Sequence, residues 1–106
     1  DRSRDDKIIS ILSLIENPCK YFLKKKTIQI RGMATKLAYQ RKGFGSILLE
    51  EVKRKIYEFM HYEILWCNSR LESIRFYEKN GFTVTGDKFT IKDIGLHKVL
   101  YYKIKK

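Results

Sequence analysis

The hydrophobic period of this chain changes several times, and each change marks an element. From Ile8 to Ile15 apolar and β-branched residues run almost unbroken, which predicts a buried strand, and Asn17-Pro18 then reads as a turn. Tyr21 to Lys24 has the make-up of a second, short strand. Thr27 to Thr35 alternates, with Ile28, Ile30, Gly32 and Ala34 on one face and Thr27, Gln29, Arg31 and Met33 on the other, the two-residue period of a strand. From Ser46 to Met60 the period lengthens. Leu48, Leu49, Val52, Ile56, Phe59 and Met60 fall on one helical stripe, while Glu50, Glu51, Lys53, Arg54 and Lys55 face away. Glu63 to Cys67 predicts another buried strand. Ser69-Arg70-Leu71-Glu72 has the form of a capping box, which starts a second helix that ends at Asn80-Gly81, with glycine suited to a left-handed cap. Phe82 to Val84 opens a strand, Gly86-Asp87 reads as a turn, Phe89 to Ile91 continues the sheet, and Ile94 to Ile104 closes it. The order predicts a mixed α/β (α+β) domain with one parallel strand pair across the first helix.

At 106 residues the chain has room for a single domain with one core, expected to cover residues 1–106. No apolar run approaches the roughly 20 residues of a membrane span, so no membrane partner is expected. Two cysteines, Cys19 and Cys67, form neither a disulfide framework nor a metal set, so no metal is expected and a reducing, cytoplasmic setting is. A net charge of +11 draws in polyanions. The basic residues are scattered, however, as ordinary solvated faces with attraction for a small phosphorylated ligand. A basic nucleic-acid-binding domain stays open as an alternative, though nucleic acid is not the expected partner.

The segment Gln40-Arg41-Lys42-Gly43-Phe44-Gly45-Ser46 lies between a predicted strand and a predicted helix. A basic loop with two glycines lets an anion approach the backbone, and the helix start adds free N–H groups and the positive end of its dipole. Its ending lacks the Gly-Lys-Ser/Thr of a nucleotide-binding P-loop.

Taken in order, Met33-Ala34-Thr35, the Gln40 to Gly45 loop, Asn68, and Phe76-Tyr77-Glu78-Lys79-Asn80-Gly81-Phe82 resemble the GNAT superfamily of acetyl-CoA-dependent N-acyltransferases. The resemblance spans about Ile8 to Ile104. It implies a mostly antiparallel twisted sheet with a splayed parallel pair and flanking helices. The backbone of Met33, Ala34 and Thr35 would pair with the pantetheine arm of acetyl-CoA, with the Met33 N–H polarising the thioester carbonyl. Amides of Gln40, Arg41, Lys42, Gly43, Phe44, Gly45 and Ser46 would hold the pyrophosphate. Asn68, Ser73 and Tyr77 complete the implied cofactor contacts. Tyr77 would protonate the departing thiolate, which suits a phenol of pKa near 10 and a thiol near 8 to 9.

His97, on the strand face with Val99 and Tyr101, is the candidate proton relay for the amine, with a structural histidine as the alternative. His61, past the helix end, and Glu72, in the capping box, read as structural. Cys67 in an apolar strand is a poor nucleophile. Leu37 replaces a proline and Arg41 a glycine common in the family. Only Asp1 to Lys7 precede the first strand, where relatives carry a strand and two helices. Either that N-terminal part is missing from this sequence, or the acceptor site is open or completed by a second copy in a homodimer. The implied function is transfer of an acetyl group from acetyl-CoA to an unidentified amine in a ternary complex, with a non-catalytic CoA-binding module as the alternative.

Overall fold

The computed structural model describes residues 10–35 and 43–104. Strands β1 (Ser10–Glu16), β2 (Thr27–Thr35), β3 (Ile64–Arg70), β4 (Thr83–Ile91) and β5 (Gly95–Lys103) form one sheet in the order β1-β2-β3-β5-β4. Helix α1 (Phe44–Phe59) crosses from β2 to β3, and α2 (Ile74–Lys79) follows a 3₁₀ turn at Leu71–Ser73. The β2–β3 pair is parallel, across a helical crossover, and the other three pairs are antiparallel, β1–β2 and β4–β5 being joined by hairpin-type connections.

Both sheet faces are covered. On one face Ile28, Ile30, Leu65, Cys67 and Leu100 pack against Leu49 and Ile56 of α1, Tyr77 of α2, and Phe82. On the other, Ile64, Trp66 and Val99 pack against Cys19, with Phe22, Phe89 and Tyr101 around them. The Cys19–Phe22 segment lies here as turns, with the Phe22 N–H bonded to the Cys19 carbonyl, and the short strand expected at Tyr21 to Lys24 is not formed. It serves as a cover for the sheet, which a turn carrying Cys19 and Phe22 does as well as a strand.

Helix α1 buries Leu49 and Ile56 completely, as its stripe predicts. Two assignments on it are corrected. Phe59 and Met60 are exposed, as the last residue and the C-cap of the helix. Lys53 is buried instead of solvated, and what holds it there is described below. The exposed face carries Arg54, whose guanidinium pairs with Glu51 and, at 2.7 Å, with Glu58. Such exposed pairs are screened by solvent and contribute little.

Strand β3 runs on past its predicted end at Cys67 to Arg70, so Ser69 belongs to the strand. The predicted capping box is absent: the Ser69 hydroxyl donates to the Arg70 carbonyl at 2.9 Å, and Glu72 caps nothing. The other end of α2 closes as its sequence predicts. Gly81 takes φ 91°, the Phe82 N–H bonds back to the Tyr77 carbonyl and the Gly81 N–H to that of Glu78, the paired pattern of a Schellman cap. Gly86-Asp87 is a bulge within one continuous β4, and the Gly86 φ of 77° supplies the backbone freedom for it. A side chain on Gly86 would collide with the Tyr21 hydroxyl.

Candidate active site

The site grows from a failure of strand pairing. The parallel ladder between β2 and β3 holds from Thr27↔Ile64 to Ile30↔Cys67 and stops there, although β2 continues to Thr35 and β3 to Arg70. The cause is visible in the β1–β2 register. Ser13 faces Gly32 and Leu14 faces Ile30, so Arg31 is an extra residue on β2. A bulge of this kind bends its strand and sharpens the twist, and here it turns β2 away from β3. It also interrupts the two-residue period that the sequence carries through to Thr35.

Beyond the bulge β2 keeps β1 as its partner, and its other edge faces an opening wedge. The wedge is a cleft of about 770 Å³, lined among others by Ile30, Arg31, Gly32, Cys67, Asn68, Ser69, Arg70, Ser73, Tyr77 and His97. Parallel strands that part in this way expose backbone donors and acceptors that an extended ligand can satisfy.

The structure thus gathers Asn68, Ser73, Tyr77 and His97 around one cleft, four of the residues the sequence singled out. Met33, Ala34 and Thr35 lie on the open edge of β2 as strand backbone. Gly43 has φ 84° at the head of α1, and Phe44, Gly45 and Ser46 form its first turn. That turn carries no acidic side chain, so the positive end of the helix stays uncompensated by its own sequence. Gln40, Arg41 and Lys42 lie outside the described residues, as do Leu37 and the expected start of the first strand at Ile8. His61 is exposed beyond the end of α1. Among the described residues no cluster of three or more His, Cys, Asp or Glu could hold a metal ion, and no helix is long and apolar enough to cross a membrane.

Tyr77 is buried on α2, wedged edge-on between Phe76 at 5.1 Å and Phe82 at 5.4 Å. Its hydroxyl has the Cys67 sulfur of β3 as a neighbour. Burial, reinforced by the neighbouring sulfur, raises the Tyr77 hydroxyl well above an ordinary phenol, so it keeps its proton. Burial likewise pushes the Cys67 thiol up to about 12, only partly offset by the neighbouring Tyr77 hydroxyl. Cys67 is therefore a packed thiol and no nucleophile, as its apolar strand predicts.

Helix α2 has less than two turns and would not hold Tyr77 in place alone. Its C-terminus is pinned from α1. The Lys53 ammonium donates to the Asn80 carbonyl and, at 2.7 Å, to the Glu50 carboxylate. It also sits 4.2 Å from the centroid of the Tyr102 ring and 5.6 Å from that of Phe82. These partners explain how a lysine can be buried here. The Asn80 side chain adds donors to Ser46 Oγ at 3.1 Å and to the Phe76 carbonyl at 2.8 Å. The first turn of α1 and the tyrosine helix are thereby tied together.

On the opposite sheet face His97 is buried, and its Nδ1 lies 2.9 Å from the Gly95 carbonyl. A carbonyl only accepts, so in the neutral ring the tautomer that fits this contact has the proton on Nδ1 and the lone pair on Nε2. Deeper in the cleft the Asn17 carbonyl accepts from Trp66 Nε1 at 3.1 Å, and the Asn17 amide donates to Gln29 Oε1 at 2.7 Å. Asn17, Gln29, Arg31, Trp66, Arg70 and Lys53 were not singled out as site residues by their sequence. Asn17 reads there as a turn, Gln29 and Arg31 as one face of an alternating strand, and Lys53 as a solvated helix position.

Residues 2–82 match the family model described as "Acetyltransferase (GNAT) family", and the chain belongs to that family. Over 97 residues it is 32% identical to the Bacillus subtilis (strain 168) protein YitI, described as an uncharacterized N-acetyltransferase, covering 92% of this chain and 64% of that one. The chain thus spans slightly under two thirds of that relative. Among solved structures, Ard1 from Thermoplasma volcanium superposes with a TM-score of 0.76 at 17% identity, over 92% of this chain and 64% of that one. A Bacillus subtilis acetyltransferase in complex with CoA does so with a TM-score of 0.69 at 17% identity, over 92% and 70%. At such identities these likenesses concern the fold.

Proposed function

We propose that this chain, acting as one domain over residues 1–106, is an N-acetyltransferase that binds acetyl-CoA in the β2–β3 wedge and passes its acetyl group directly to an amine. The observation that carries this reading is the wedge itself, a parallel pair forced open by the Arg31 bulge, with Tyr77 and His97 both lining the opening. Family membership and the CoA bound by one structural relative support it.

The residues present fit the cofactor. The free edge of β2 from Arg31 to Thr35 offers main-chain donors and acceptors to an amide-bearing arm, with the Met33 N–H the candidate donor to the thioester carbonyl. Asn68 is exposed in the opposite wall and adds an amide side chain. Gly43 to Ser46, with Gln40, Arg41 and Lys42 before them, supply the anion site at the head of α1. Acetyl-CoA supplies a thioester, an activated acyl group with a thiolate as leaving group.

The proton traffic then falls to the chain. His97 Nε2 accepts a proton from the attacking amine as the new C–N bond forms. Tyr77 donates its hydroxyl hydrogen to the sulfur as the C–S bond breaks. Its raised pKa makes Tyr77 a reluctant acid and a dependable hydrogen-bond donor, so transfer is completed only once thiolate charge has developed.

Replacing Tyr77 with phenylalanine keeps the ring packing and removes the hydroxyl. Acetyl transfer by Tyr77→Phe is expected to fall about 100-fold or more in kcat with little change in CoA affinity, as for loss of a positioned proton donor. Unaltered kcat across the pH range would reject the role of Tyr77. CoA binding without acetyl transfer by the unaltered chain would favour a non-catalytic CoA-binding module.

A further inference from the structure

The half of the cleft that faces away from α1 has a one-sided chemistry. Arg70 and His97 stand directly opposite each other in the β3–β5 register, so their side chains leave the same sheet face as neighbours. Arg31 rises from the bulge on the other rim of the wedge, and among the described residues it has no carboxylate within ion-pairing distance. Gln29 gives its carbonyl oxygen to Asn17, which leaves its NH₂ as the donor end. Among the described residues the one carboxylate lining the cleft is that of Glu72, 4.0 Å from Arg70 and on an exposed side chain. Trp66, Ile91 and Ile94 supply apolar wall between these groups.

A wall rich in donors and guanidinium groups disfavours a polycationic acceptor and suits an anion. Guanidinium matches a carboxylate in a two-bond fork. The proximity of Arg70 to His97 further restricts the anion, since one small molecule must offer its carboxylate to the arginine and its amine to the imidazole. We infer that the acceptor is a primary amine carrying a carboxylate close to the nitrogen, an α-amino acid in its simplest form, held by Arg70 with help from Arg31. This rests on the acetyl-transfer reading above and adds the acceptor class to it. In the reaction the amino nitrogen gains the acetyl group and loses a proton towards His97, while the carboxylate stays unchanged in the arginine fork.

The test compares leucine with leucinamide and 3-methylbutylamine, three acceptors of one shape of which only the first carries a carboxylate. The amide's nitrogen is less basic, hence more available at neutral pH, so reactivity alone would favour the amide. Leucine is expected to exceed both by about tenfold or more in kcat/KM, mostly through KM. Arg70→Gln should abolish the preference for leucine, lowering its kcat/KM about tenfold or more while changing that of the other two by less than about twofold. Equal or better use of the uncharged-end compounds overturns the inference. So does a preference for leucine that survives both Arg70→Gln and Arg31→Gln, or an Arg70→Gln variant that loses CoA affinity as fully as leucine use. If no acceptor is turned over, the same comparison is read as thermal stabilisation at matched ionic strength. A shift with leucine alone upholds the inference, and equal shifts overturn it. Absence of any stabilisation by CoA would instead reject the acetyl-transfer reading, while leucine against leucinamide still decides the carboxylate site.

Discussion

The same two strands build the tightest and the most open parts of this molecule. Over Thr27–Ile30 and Ile64–Cys67 they are paired, and all eight residues are buried. A few residues further on, past one extra amino acid at Arg31, Arg31, Gly32, Asn68 and Arg70 are exposed and the ladder is gone. The closed half spends its backbone hydrogen bonds on the fold, and the open half keeps them for a ligand. A site made in this way needs little side-chain machinery, because the bulge creates main-chain binding capacity. The contrast implies that substitutions in the closed half act on stability and those in the open half on binding.

The sharpest way to break that contrast is a cavity in the closed half. Leu65 is fully buried between the strands and α1, and Leu65→Ala is expected to destabilise by about 2 to 5 kcal/mol, read by urea unfolding. A loss below about 1 kcal/mol would mean that this half is not the packed base of the wedge.

The boundary between the halves carries a pH signature. Cys67 and Tyr77 both have folded-state pKa values raised by burial, from 9.0 to about 12 for the thiol. The unfolded chain therefore releases these protons at lower pH than the folded one. Their contribution is intact below about pH 9 and is lost as pH rises from there towards 12, at up to about 1.4 kcal/mol per pH unit for each group. Cys67→Ala should flatten the decline of stability above pH 9 without altering the profile below it. An identical decline in the variant would remove Cys67 from this account.

Lys53 sharpens the comparison from outside the strands. Lys53→Ala removes the hydrogen bond to the Asn80 carbonyl and the contacts to Phe82 and Tyr102, with an expected loss of about 1 to 3 kcal/mol. Because Asn80 also ties α2 to Ser46, faster hydrogen exchange in α2 should accompany that loss. An unchanged α2 would show that the lysine only fills space.

The smallest effect on stability is expected in the open half, where Asn68→Ala should stay within about 0.5 kcal/mol of the parent. The same change should weaken CoA binding severalfold in a titration. A large fall in stability with intact binding would reverse the assignment of the two halves.

How much of this was legible in the sequence follows the same division. The closed half announces itself through Ile28, Ile30 and Leu65, and the Schellman cap through Asn80-Gly81, because period and glycine chemistry are local signals. Tyr77 and Asn68 stood out from their place in an ordered set of motifs, and the structure brings both to the cleft. The bulge was not, since a strand with one extra residue has the composition of a strand without it, and only the partner's register reveals the surplus. Lys53 escaped for a related reason. A lysine on a helix reads as solvated unless a carbonyl and two aromatic rings from distant segments enclose it. Ser69–Glu72 misled because a capping motif has no force where strand pairing with β5 extends through Arg70.

The central claim is that the wedge beyond Arg31 binds the acetyl donor. Backbone amide NMR of the chain titrated with acetyl-CoA tests it residue by residue. The account predicts large shifts and slowed exchange for amides between Arg31 and Thr35 and around Asn68, with those of Thr27–Ile30 nearly still. Saturable binding that leaves the open edge of β2 unperturbed, or no perturbation at all, would contradict it.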